Sequence, residues 1–89
     1  MKCYIVSFET SSEDATKALE MRLKSYPNYC PINKYCWAIM TEQSAAQIRE
    51  HLSGALNFKT DHLFVILSGT ESSWYTYGAK NSEWLKKNL

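Results

Sequence analysis

The chain has 89 residues, 45% hydrophobic and 13% aromatic, with ten basic and nine acidic side chains and a net charge of +1. That length predicts one domain that buries roughly 60–65% of its unfolded surface, and the apolar content excludes a disordered chain. The balanced charge excludes a broad basic surface, so nucleic-acid binding requires a local patch or a dimer that gathers charge.

The cysteines are Cys3, Cys30 and Cys36, an odd number without a C-x-x-C pair. This argues against a disulfide scaffold and a zinc knuckle, and points to reduced, intracellular thiols that pack as small apolar side chains. The apolar run at 3–6 is too short for the core of a signal peptide. No stretch approaches the roughly 20 apolar residues of a membrane helix. The expectation is a soluble cytoplasmic protein without a membrane partner.

Residues 3–8 are β-branched and aromatic and read as a buried strand. A helix follows. Thr10 and Glu13 stand at capping-box spacing, and Glu13 and Asp14 suit its positive end. Ala15, Ala18, Leu19, Leu23 and Tyr26 share one apolar face, while Glu13–Lys17 and Glu20–Lys24 are favourably oriented i,i+4 pairs. Pro27 stops the helix, because the residue before a proline is pushed out of the helical region.

Residues 29–32 and 35–41 read as two strands joined by a tight turn at Asn33-Lys34, and Pro31 assigns the first of them to a sheet edge. Ser44 and Gln47 form a second capping box. It opens a helix whose buried face is Ala45, Ile48, Leu52 and Leu56 and which Gly54 or Asn57 ends. Residues 63–68 are a continuous apolar strand. Beyond Gly69 the chain reads as an irregular or short-strand extension, with Ser82 capping a last helical turn through Trp84 and Leu85. The order β-α-β-β-α-β is the ferredoxin-like split motif: a four-stranded antiparallel sheet with two helices on one face, an α+β fold. Residues 1–89 make a single domain, with the core in 1–68 and an aromatic extension in 69–89.

The strands look apolar on both faces. Cys3 and Ile5 alternate with Tyr4, Val6 and Phe8, Tyr35, Trp37 and Ile39 alternate with Cys36, Ala38 and Met40, and Leu63, Val65 and Leu67 alternate with Phe64 and Ile66. A bare apolar sheet face marks a contact, so a cover is expected. A twin subunit and the chain's own tail, with Trp74, Tyr75, Tyr77 and Trp84, are the two candidates. Self-association is the preferred reading, with Trp37, Trp74, Tyr77 and Trp84 as interface residues.

The strand Tyr4-Ile5-Val6-Ser7-Phe8-Glu9, the hairpin residues Tyr35-Cys36-Trp37 and the tail carry a family resemblance. The tail runs from Ser68-Gly69-Thr70 through Trp74 to Ser82-Glu83-Trp84-Leu85-Lys86-Lys87-Asn88-Leu89. Over nearly its whole length the chain resembles small bacterial proteins labelled SinR-like. These are similar to the small CRISPR spacer-acquisition subunit and its toxin-nuclease relatives. The resemblance implies a ferredoxin-like homodimer packed sheet to sheet. It also implies a metal-dependent nuclease site built on an aspartate at the end of the first strand. Glu9 occupies that position here, and its extra methylene moves the carboxylate. No helix-turn-helix is visible to support a transcriptional role.

Glu9 is therefore the one candidate catalytic residue. Two copies across a two-fold axis would hold Mg²⁺ and a water able to attack a phosphodiester. On the residues alone, the simpler reading is a carboxylate favouring the positive end of the following helix. No resident cofactor and no metal-ligand set is expected otherwise. His51 and His62 lack i,i+4 partners and read as locally hydrogen-bonded side chains, and Ser7 and Ser68 lack a base. Cys30 and Cys36 are placed to approach across the hairpin, with core packing the plainer role. The tail aromatics suit either base stacking or anchoring, and Lys80, Lys86 and Lys87 suit either phosphates or a solvated terminus. Two functions follow. One is a dimeric, nucleic-acid-associated protein with little or no catalysis. The other is a non-catalytic protein-interaction module of a mobile element or defence system.

Overall fold

The computed structural model describes residues 1–69 and 82–88. Strands β1 (Lys2–Glu9), β2 (Asn28–Asn33), β3 (Cys36–Thr41) and β4 (His62–Leu67) form one antiparallel sheet in the order β2-β3-β1-β4. Helices α1 (Glu13–Leu23) and α2 (Ala45–Ser53) pack on one face of it, which is the expected α+β ferredoxin-like arrangement. Pro31 lies on the outer strand β2, where the missing N–H takes no bond from a central ladder.

Alternation along the strands selects what meets the helices. Tyr4, Val6 and Phe8 of β1 and Trp37 and Ile39 of β3 pack against Leu19 and Leu23 of α1 and Ile48 and Leu52 of α2. Leu19, Leu23, Ile39, Ile48, Leu52 and Val6 are fully buried, each contributing about 1.5–3 kcal/mol of transfer free energy. The antiparallel register sets Val6 opposite both Trp37 and Val65, so the core runs across three strands at one level.

Both helix starts are capped, but the first cap is not the expected one. Ser12, not Thr10, is the N-cap of α1, and its hydroxyl accepts from the Ala15 amide at 3.1 Å. Thr10 instead pairs its hydroxyl with that of Thr16. Ser12 holds the extended backbone a cap requires, while Ser11 is drawn toward Asp61, so the helix begins later than the Thr10–Glu13 spacing implied. The α2 capping box forms as expected. Ser44 Oγ accepts from Gln47 N at 3.2 Å, and Gln47 Oε1 accepts from Ser44 N at 2.8 Å.

Helix α1 ends at Leu23, ahead of Pro27, yet Tyr26 still reaches the core, and its hydroxyl donates to Gln43 Oε1 at 3.1 Å. In the hairpin, Asn33 closes β2 and accepts from the Tyr35 amide through Oδ1 at 2.9 Å. The turn therefore falls on Lys34 and Tyr35, one residue later than Asn33-Lys34, because a register shift between Pro31 and Asn33 lengthens β2.

The second sheet face carries a separate, smaller core. Helix α3 (Ser82–Asn88) lies over it, with Leu85 buried among Cys3, Cys30 and Ala38, and Ile5, Ile32, Met40 and Trp84 around them. Part of this face is thus covered by the chain's own tail. On β4, Phe64 and Ile66 remain 60% and 57% exposed. Among the described residues, no helix is long and apolar enough to cross a membrane.

Candidate functional site

Glu9 ends β1, and the β1–β4 register makes His62, the first residue of β4, its Cα partner. Its carboxylate Oε1 stands 3.9 Å from His62 Nε2, and both side chains are mostly exposed. Glu9 and His62 are distant in the sequence, but antiparallel pairing puts a carboxylate and an imidazole side by side at the rim of the sheet. The signal was present in the element order. It needed a register between distant segments, which no local pattern supplies.

Asp61 adjoins His62 in the chain but does not extend this pair. Its Oδ1 accepts from the Ser11 amide at 2.8 Å and the Thr60 hydroxyl at 3.1 Å, and its Oδ2 accepts from the Asn57 amide at 2.9 Å. These donors, the Asn57 amide foremost, hold its carboxyl below the ordinary aspartate range. Among the described residues no three His, Cys, Asp or Glu side chains gather as a metal-binding group. One carboxylate and one imidazole from a single chain do not fit Mg²⁺, a hard cation that takes near-octahedral oxygen ligands.

The other singled-out residues have local roles. His51 Nε2 lies 3.3 Å from the Ser25 hydroxyl, and the ring meets Tyr26 edge-on at 5.6 Å. The His51 carbonyl accepts from Arg22 Nη1 at 2.5 Å, which ties the end of α1 to that of α2. Ser7 sits between Cys36 and Phe64 in the ladders, and the Ser68 amide donates to the Cys3 carbonyl at 2.9 Å. Among the described residues, neither serine is hydrogen-bonded to a base.

All three cysteines are free, and burial pushes each thiol's pKa up, with Cys30 adding to the effect at Cys3. Cys30 and Cys36 do not face each other across the hairpin. Cys30 pairs with Ala38, while Cys36 pairs with Asn33.

The interface residues separate. Trp37 is 3% exposed, stacks on Tyr29 at 5.7 Å and belongs to the core beneath the helices, so it does not lie on the open sheet face expected of it. The register sets Trp37 opposite Val6, and Val6 faces the helices. Trp84 packs on its own sheet, and its indole donates to Asn28 Oδ1 at 3.2 Å. Trp74 and Tyr77, like Tyr75 and Lys80, lie outside the described residues. Lys86 and Lys87 are exposed on α3.

No family model matches the chain, and no curated protein matches it. Among solved structures it is similar to the crystal structure of the hypothetical protein TT1823 from Thermus thermophilus. The TM-score is 0.71 at 16% identity, over 85% of this chain and 92% of that one. At that identity the likeness bears on the fold alone.

Proposed function

We propose that the chain works as a homodimer associated with nucleic acid, with little or no catalysis of its own. The observation that carries this reading is a strip of the second sheet face that stays exposed among the described residues. Phe64 and Ile66 stand exposed beside Ile5 and Ser7, their ladder partners, next to the part that α3 covers. Adjacent large apolar side chains on one flat face favour self-association, and a two-fold axis lets the same strip serve both subunits. The resemblance to SinR-like proteins and to the small CRISPR spacer-acquisition subunit points the same way.

The site's chemistry supports weak catalysis at most. Among the described residues, Glu9 has a neighbouring imidazole and no three metal-ligating side chains gather with it, which is a poor start for Mg²⁺-assisted hydrolysis. The near-neutral chain also suits the alternative, a non-catalytic interaction module of a mobile element or defence system.

Light scattering at micromolar concentration, together with gel shifts on short DNA and RNA over a salt series, tests the proposal. The expected result is twice the monomer mass and salt-sensitive binding. A dimer without binding favours the interaction module. A monomer that binds nothing overturns both readings.

A further inference from the structure

Phe58, in the connection between α2 and β4, is 89% exposed, more than any other large apolar side chain among the described residues. An exposed phenylalanine on a slack loop would mean little. This loop is not slack. The Asn57 carbonyl accepts from the amides of Thr60 at 3.1 Å and Asp61 at 2.8 Å, and Asn57 Oδ1 accepts from Lys59 N at 3.0 Å. Asp61 closes the other end through the Asn57 amide and fastens the whole turn to the connection before α1 through the Ser11 amide. The hydroxyls of Ser11 and Thr60, 3.1 Å apart, add a second tie. Folding has therefore already met much of the entropy cost of presenting Phe58 to a partner.

The surroundings of the ring select the partner. Lys59 Nζ lies over the Phe58 ring, 5.9 Å from its centroid, and the turn that carries the ring otherwise holds the polar Asn57 and Thr60 and the carboxylate of Asp61. A protein hot spot is ringed by apolar contacts that exclude water, whereas this ring is 89% exposed with a cation at its face. An aromatic face beside a cation is instead the pairing that takes a base by stacking and the next phosphate by charge. Bases inside a duplex have both faces occupied, so the complementary ligand is an unstacked strand.

We infer that segment 57–61 is a contact for single-stranded nucleic acid, in which Phe58 stacks on a base and Lys59 meets the adjacent phosphate. Asp61 is a positioning residue that holds the turn. This inference rests on the nucleic-acid association proposed above and deepens it by naming the contact and the strand form.

The test is fluorescence anisotropy of the full chain with labelled oligo(dT) and oligo(rU) over a salt series. Phe58→Ala should weaken binding at least about fivefold, and Phe58→Trp should retain or strengthen it. Lys59→Gln should lower the slope of log affinity against log salt by about 0.7, as for one lost phosphate contact on a single strand. Asp61→Ala should weaken binding although it touches no ligand. Because Phe58 is exposed, circular dichroism of Phe58→Ala should match the unmodified protein. Oligonucleotide binding unchanged by Phe58→Ala overturns this inference and leaves the nucleic-acid reading standing. No binding by the unmodified protein to either single strands or duplexes overturns both. No oligonucleotide binding, with a change of mass in Phe58→Ala, makes the ring a protein anchor and overturns the inference.

Discussion

Glu9 and His62 are Cα partners in the β1–β4 ladder, with carboxylate and imidazole 3.9 Å apart at the exposed rim of the sheet. A pair this exposed adds little to stability, so Glu9→Gln should leave the urea midpoint nearly unchanged. The unmodified protein should show little or no Mg²⁺-dependent cleavage of DNA or RNA. Any residual cleavage should vanish in Glu9→Gln, which keeps the shape and removes the charge, and should rise in Glu9→Asp, which restores the shorter side chain. Robust Mg²⁺-dependent cleavage, lost in Glu9→Gln, would show that the site works as a nuclease.

The exposed strip of β4 makes a second prediction. Phe64→Ser combined with Ile66→Ser should reduce the mass measured by light scattering from dimer to monomer. Both side chains are more than half exposed in the single chain, so the fold should survive, with a near-native circular dichroism spectrum. An unchanged mass would move the subunit contact to another surface.

Asp61 predicts a pH response of the 57–61 turn. Its carboxyl is held below the ordinary aspartate value, first by the Asn57 amide and then by the Ser11 and Thr60 donors. A depressed folded-state pKa contributes stability that is fully present above the unfolded value, about 3.9, and is lost as pH falls through the lower folded value. Between pH 5 and 8 the turn should be insensitive to pH, and its amides should lose exchange protection only in strong acid. Asp61→Asn should reproduce that loss at neutral pH, because an amide nitrogen then faces the Asn57 or the Ser11 donor. Amide exchange at Ser11 and Asn57 measures both effects, and unchanged protection in Asp61→Asn would contradict the assignment.

The cover formed by α3 is open to a chemical test. Cys3 and Cys30 lie buried beside Leu85, and burial raises both thiols, so alkylation at pH 7 should be slow. Leu85→Ala should weaken the docking of α3 by about 2 kcal/mol and speed labelling of Cys3 and Cys30 at least about tenfold. Cys36, which lies outside that cluster, should label at an unchanged rate and serves as the internal control. Equal rates in the two proteins would mean that α3 does not gate access to the thiols.

Local patterns in the sequence determined the elements of this protein. The helical spacing of Leu19 and Leu23 and of Ile48 and Leu52 marks the two buried helix faces. The Ser44–Gln47 box marks where α2 starts, and Pro31 marks an edge strand, because each is an interaction between near neighbours. The doubly apolar strands also announced a second covered face, and Leu85 of the tail occupies part of it.

What tertiary structure alone decided is which distant residues meet. Alternation places Trp37 and Ile39 on a common side, but pairing with β1 sends that side to the helices and buries Trp37 in the core beneath them. The same ladder brings His62 to Glu9. Asp61 reaches back to Ser11, so Ser12 rather than Thr10 caps α1 and the turn bearing Phe58 is held in place. Backbone propensity and hydrophobic period act within a few residues. Register and long-range hydrogen bonds are set when the whole sheet closes, and the candidate contacts of this protein are made at that step.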